Sequence, residues 1–230
     1  MQKQITAVCA ILWCALCAFA GDAAAFADIG FSKDSGTYVF GQYGMTDKTY
    51  TAYAEIYTVD IAKNDFVPNG VFKISDTTGK SGSDVYADLL KKQAPFLKKY
   101  APVPVSPDSM LYIRDDESKR ATDEIVFKDF GQTGEKALYF HVRLVPLYEG
   151  KGSGLKSSFY IVAEKKHADG TLVERKVVGN PDIKRAGVTG YAVNAIFTAP
   201  DGKGLVFVVE KTLGDASGVS IRYMVETAVF

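Results

Sequence analysis

Along most of the chain, apolar and polar positions alternate with a period of two, in runs bounded by Gly, Pro, Asn and Asp. That is the pattern of half-buried β-strands. Residues 37–43 are β-branched and aromatic, and residues 54–60 set Ala54, Ile56 and Thr58 opposite Glu55, Tyr57 and Val59. Residues 66–74 form a third strand, broken near its start by Pro68, Asn69 and Gly70. Further on, residues 110–113, 124–128 and 137–148 read as strands. The last of these carries Leu138, Phe140, Val142 and Leu144 on one face and Tyr139, His141 and Arg143 on the other. Residues 155–166 and 171–178 predict a hairpin that turns at Asp169 and Gly170. Residues 191–198, 205–211 and 219–230 supply three closing strands.

The period changes once. Val85, Leu89, Phe96 and Tyr100 recur at helical spacing over residues 84–100, with Ser81 or Ser83 as the N-cap. Asp84 and Asp88 lie near the positive end of that helix dipole. Pro95 is expected to kink or divide the helix. Pro102, Pro104 and Pro107 are expected to make residues 101–109 a rigid, extended connector without regular structure. The sum is a mainly-β fold of about eleven strands: a sandwich-like or partial-propeller arrangement of antiparallel strands with one α-helix at about residues 84–100.

The N-terminus departs from this pattern. Lys3 is the sole charge in the first 20 residues, and residues 5–20 are almost wholly apolar. Ala18, Phe19 and Ala20 form a small-residue cleavage site before Gly21 and Asp22. This is a secretory signal peptide over residues 1–20, followed by a single exported mainly-β domain over residues 21–230. Ala20 is the first expected cleavage site, and Ala25 or Ala27 the second. The apolar run is short for a membrane span. Cys14 follows Trp13 and Cys17 follows Leu16, so lipidation is not expected.

Composition matters only after that segment is set aside. The whole chain has 230 residues, with 27 Lys plus Arg against 27 Asp plus Glu. Losing Lys3 leaves 26 against 27, a net charge of −1. There is no basic excess for nucleic acid, and the 47% apolar content excludes a disordered tail. Cys9, Cys14 and Cys17 all lie in the leader, so the mature chain has no thiol nucleophile, disulfide or thiolate metal site. It keeps 13 Tyr and 13 Phe.

An internal repeat follows. Phe31, Asp34, Gly36 and Phe40 recur as Phe197, Asp201, Gly202 and Phe207, with Asp six residues before the second Phe in both copies. An Asp carboxylate binds turn amides and Gly permits a positive φ, so each copy predicts a strand–turn–strand unit. The unit resembles a blade of the TolB-type β-propeller. Over the whole mature chain, Gly30 to Asp34, Gln42 to Gly44, Tyr53 to Tyr57 with Asp60, and Gly190 and Tyr191 before Pro200 to Gly202 resemble a family of predicted secreted bacterial proteins of unknown function. That resemblance implies export and one domain, and it supplies no catalytic residues. Ser35 stands where Gly is usual after the Asp, which bears on the local turn type.

Gly79, Lys80 and Ser81 precede the helix, but Ile74 stands where a phosphate-binding loop needs its first Gly, so a helix cap is expected. His141 and His167 are the two histidines, without a zinc or triad pattern. Asp115, Asp116 and Glu117, with Asp123 and Glu124 nearby, read as a solvated loop beside Lys119 and Arg120, not a calcium loop. Lys91, Lys92, Lys98 and Lys99 read as a solvated helix face. Phe230 ends the chain as in outer-membrane barrels, but Arg222 and Glu226 share its face and would meet lipid. Tyr43, Tyr50, Tyr53 and Tyr57 cluster about one loop and are the expected binding surface, since Tyr is large, rigid and amphipathic.

The expected function is that of an exported periplasmic β-domain. It binds an envelope protein, peptide or glycan and is not an enzyme, with no cofactor, metal or nucleic acid and no transmembrane span after cleavage. The alternatives are a secreted hydrolase drawing on Asp34, Glu55, Asp60, Asp115 and Asp201, or a structural envelope or outer-membrane component.

Overall fold

The computed structural model describes residues 22–115, 124–129, 137–215 and 218–230. The leader and Asp116, Glu117 and Asp123 lie outside these. The chain opens with four strands, β1 (Ala25–Phe31), β2 (Thr37–Met45), β3 (Ala52–Asp60) and β4 (Asp65–Asp76), which form an antiparallel meander in chain order. α1 (Gly82–Leu97) follows. Next come β5 (Met110–Ile113), β6 (Ile125–Lys128), β7 (Leu138–Glu149), β8 (Lys156–His167), β9 (Leu172–Val178) and β10 (Arg185–Ala186). The last strands are β11 (Val188–Thr198), β12 (Gly204–Asp215) and β13 (Gly218–Val229). They form a second sheet in the order β13-β12-β11-β5, and the third runs β10-β8-β7-β6 with β9 also on β8. None of these sheets closes into a barrel among the described residues.

The sheets stack as layers, and β12 shows why. Leu205, Val206, Phe207, Val208 and Val209 are all buried, an unbroken apolar run rather than an alternating one. A strand reads this way when both of its faces are covered. Leu205, Phe207 and Val209 pack with Phe140, Val142, Leu144, Phe159 and Ile161 of the third sheet. Val206 and Val208 pack with Tyr38, Phe40, Tyr57 and Val59 of the first. The far face of the first sheet, through Val39, Ala54 and Ile56, takes Val85, Leu89 and Leu97 of α1. The fold is thus helix on sheet on sheet on sheet, with β11, β12 and β13 at its centre.

Ser81 caps α1 in a capping box: its Oγ accepts from the Asp84 N–H at 3.2 Å, and the Asp84 carboxylate accepts from the Ser81 N–H at 3.3 Å. Lys80 pairs with Asp88 at 2.7 Å. Of the two effects expected of it, Pro95 does not divide the helix. It sits in the last turn, two residues before Leu97, so little helix remains to be broken. Pro68 falls on the edge strand β4, where the ladder shifts opposite Thr58 and no partner needs its missing N–H. The connector after α1 carries more structure than expected. Pro107–Ser109 make a 3-10 turn, and Val103 exchanges two 2.9 Å backbone bonds with Phe31.

The repeated turns match in detail. Ser32 donates to the Thr37 carbonyl at 2.8 Å, as Ala199 does to Gly204. Asp34 Oδ1 accepts from the Gly36 N–H at 3.1 Å, as Asp201 Oδ1 does from Lys203 at 3.0 Å. Ser35, at φ 60°, occupies the left-handed position that Gly202 takes at φ 74°. The residue needing conformational freedom in the first copy is therefore Ser35, not Gly36. The two units face each other in one core, with Tyr38 and Phe197 ring centroids 6.1 Å apart. Ser35→Gly is expected to raise stability by about 0.5–1 kcal/mol in urea denaturation, because only Gly adopts this φ without strain; a loss of stability would contradict this reading of the turn.

Candidate functional site

The four tyrosines do not share one face. Register pairs Tyr43 with Ala54 and Gly44 with Tyr53, so Tyr43 points to α1 and stacks on Tyr86 at 4.8 Å. Tyr53 and Tyr57 point the other way. Tyr53 donates to Asp22 Oδ1 at 3.1 Å and lies 4.4 Å under the Arg222 guanidinium. Tyr57 is buried, stacks on Phe40 and Phe66, and donates to Glu55 at 2.6 Å. Tyr50 alone is open to solvent, 75% exposed, with φ 48°.

Four carboxylates of the expected hydrolase pool, Asp34, Glu55, Asp60 and Asp201, have partners in their own turn or sheet, and Asp115 lies apart from them, just after β5 at the edge of the second sheet. Asp34 and Asp201 hold their turns, and Asp60 pairs with Lys63 at 2.8 Å. Glu55 accepts from Gln42 and Tyr57 and pairs with Lys73 at 3.1 Å. Burial pushes its carboxyl up, but the Tyr57 hydrogen bond and the Lys73 charge outweigh this and hold it below its ordinary value. His141 lies 3.4 Å from Glu124, which also pairs with Arg143 at 3.2 Å. No group of three metal-ligating side chains occurs among the described residues. Phe230 packs edge-on against Phe140 at 5.0 Å, inside the layered core.

A different place gathers chemistry. The β3–β4 loop, the segment leading into β10, and β13 at the edge of the central sheet line a cleft of about 250 Å³. Asn64, Asp65, Phe66, Ile183, Arg185 and Glu226 are among the residues that line it. Asn64 adopts φ 51°, which lets it close the tight β3–β4 loop. Its side chain then bridges two elements. Its Nδ2 donates to Glu226 Oε2 at 2.6 Å, and its Oδ1 accepts from the Thr227 N–H at 2.6 Å. Phe66 and Ile183 form an apolar rim, 48% and 51% exposed.

Burial pushes the Glu226 carboxyl above its ordinary 4.5, against the Asn64 hydrogen bond and the nearby Arg185 charge. A raised folded-state pKa contributes stability below pH 4.5 that is lost as pH climbs through the raised value. Glu226→Gln, which keeps an acceptor for Asn64, is therefore expected to gain stability over the parent as pH rises from 4.5 to 7. Urea midpoints at several pH values measure this, and a gap that does not widen with pH refutes it.

A family model described as Predicted secreted protein (DUF2259) matches residues 39–228, most of the chain. The chain belongs to that family. No curated protein matches it. Its family description agrees with the export expected from the N-terminus. The match runs from Val39 in β2 to Ala228 in β13, so this secreted-family region takes in the whole cleft from Asn64 to Glu226.

No local pattern in the sequence unites Asn64, Arg185 and Glu226, although alternation along the last strand sets Glu226 on the Phe230 face. Asn64 and Glu226 are 162 positions apart. One local signal was present: Asn64 follows Lys63 in a polar turn between two strands, the usual setting for a positive φ.

Proposed function

We propose that this secreted protein is a non-enzymatic binding module of the periplasm, taking an envelope ligand into the cleft between Phe66, Ile183 and Glu226. The observation that carries this is the lining: an exposed apolar rim around hydrogen-bonded polar groups held by a stiff scaffold, the composition of small-ligand and peptide sites. Phe66→Ser with Ile183→Ser should weaken capture of the envelope ligand at least about tenfold, since each apolar contact contributes about 1–2 kcal/mol. The melting temperature should fall by only a few degrees, because both side chains are about half exposed and Phe66 gives up one ring contact, to Tyr57. Unchanged capture by the double variant overturns the reading. Tyr50→Ala in the same assay tests the remaining exposed tyrosine.

A second reading has its own observation. Glu226, with its raised pKa, and Asp65 line the same cleft, the ingredients of a carboxylate-dependent hydrolase. That reading expects Glu226→Gln to abolish turnover of a captured ligand while capture persists. We further propose that the leader is removed after Ala20. Asp22 is 3% exposed in its side chain and ion-paired with Arg222, and Ala24 is bonded to Ile221 at 3.0 Å, so cleavage after Ala25 or Ala27 would remove structural residues.

A further inference from the structure

The half-buried cations of this fold are matched with carboxylates almost throughout. Arg114 has Glu210 at 3.1 Å, Lys165 has Asp129 at 3.1 Å, Lys166 has Glu164 at 2.7 Å, and Arg222 has Asp22. Among the described residues two do not follow the rule, and a short chain of contacts joins them: Arg185 is cross-strand from Ser157, whose Oγ lies 2.9 Å from the Tyr191 hydroxyl, and Tyr191 is cross-strand from Lys211. Lys211 on β12 lies cross-strand from Tyr191 and from Arg222. It is half-buried, and among the described residues it has no hydrogen-bond or ion-pair partner. Arg185 on β10 is also half-buried. Its Nη1 donates to the Ile183 carbonyl at 3.3 Å and its guanidinium lies 5.2 Å over the Phe159 ring, but it makes no ion pair among the described residues.

No carboxylate pairs directly with either of them among the described residues. Burial first, and then the Arg185 charge, pushes the Lys211 ammonium down to about 8; Lys73 and Arg222 push the same way and Glu55 opposes them. Across the cleft Glu226 accepts from Asn64 and makes no ion pair with Arg185 among the described residues; burial pushes its carboxyl up, and the Arg185 charge opposes this. Two partly desolvated cations that lack an ion-pair partner of their own are costly. Arg185 also lines the cleft itself, with a planar fork suited to a carboxylate or phosphate. Lys211 follows on the same side of the central sheet, since Met224, which lines the cleft, pairs with Val209, two residues before Lys211.

We infer that Arg185 and Lys211 form an oxyanion-binding end of the cleft, which receives a carboxylate or phosphate group of the ligand. This rests on the cleft being the ligand site. Arg185 supplies a bidentate hydrogen-bonding face. Lys211 supplies a point charge from the sheet behind it, and Phe66 and Ile183 cover the ligand's apolar part. The bound anion replaces the carboxylate that every other half-buried cation named here already has.

The test uses inorganic phosphate and acetate as probes, at constant ionic strength and concentrations of about 10 mM or below, where general salt effects on stability are small. Binding is followed by calorimetry and by the melting temperature of the mature chain. Phosphate should bind the parent and the helix-surface control Lys91→Met equally, and should bind Lys211→Met and Arg185→Gln at least about tenfold more weakly. Without phosphate, Lys211→Met should melt no lower than the parent at neutral pH, because an unmatched charge is gone and the apolar stem is kept; a purely structural lysine would give a loss. Equal phosphate binding by parent and Lys211→Met, or no binding of either probe by the parent, overturns the inference. If the Phe66 and Ile183 variant loses envelope capture while Lys211→Met binds phosphate like the parent, the anion site falls and the cleft reading stands. If Lys211 controls phosphate binding while the rim variant keeps capture, the cleft reading falls.

Discussion

Gly30→Ala is expected to destabilise the chain by about 4 kcal/mol or more, enough to leave it largely unfolded. Gly30 sits at φ 122° in a bulge of β1, and a Cβ there would stand 1.9 Å from the Val103 carbonyl oxygen and 2.6 Å from the Pro104 nitrogen. Neither obstacle is a flexible side chain. The connector backbone is held against β1 by the paired Phe31 and Val103 bonds. It is held again at Val105, whose N–H donates to Asp28 Oδ2 at 2.7 Å. Relief would require peeling the connector from β1, uncovering buried Val105 and leaving the half-buried Asp28 carboxylate without that donor. Soluble yield and circular-dichroism melting measure the effect; a variant that melts within a few degrees of the parent would show that the connector is not locked in place.

Arg222→Leu should cost about 3–5 kcal/mol, the expected penalty for leaving a buried charge without its counter-ion. Asp22 is nearly fully buried, and Arg222 supplies both the ion pair and a 3.1 Å bond to its carbonyl oxygen. Tyr53 donates to the same carboxylate and stacks under the guanidinium, so three residues from distant parts of the chain form one unit. Asp22→Asn in the Arg222→Leu background should recover much of the loss, since the stranded charge is then gone. The same unit tests the processing site. N-terminal sequencing of the exported protein should begin at Gly21, and a chain begun at Phe26 should lose as much stability as Arg222→Leu does. An exported protein found to start at Phe26 or Asp28 with full stability would remove the structural role of Asp22.

The local elements were largely readable. The alternation over residues 137–148 assigned Leu138, Phe140, Val142 and Leu144 to one face, and all four are buried in β7. Ser81 was one of two proposed caps for α1, and its side chain makes the capping box. β1 was not foreseen, because Ala25, Phe26 and Ala27 resemble the small residues of a cleavage region as much as a strand. The tyrosine group illustrates the limit. Tyr53 and Tyr57 must share a face by parity, but whether Tyr43 joins them depends on the β2–β3 register. That register is set by the turn at residues 46–51, where Tyr50 itself takes a positive φ.

Export, strand content, helix α1 and the two Asp turns follow from the order of residues, because a leader, an alternating pattern, a cap and a turn are each written within about a dozen neighbours. The stacking of three sheets, the union of Asp22 with Arg222 across 200 positions, the Asn64–Glu226 contact and the unmatched pair Arg185 and Lys211 are not written that way. They arise when distant strands settle into register and sheets bury their second faces. Apolar area and packing across the whole molecule choose that arrangement, and no stretch of sequence contains it. The folded chain thereby acquires its cleft, and it leaves two cations there without a carboxylate of their own.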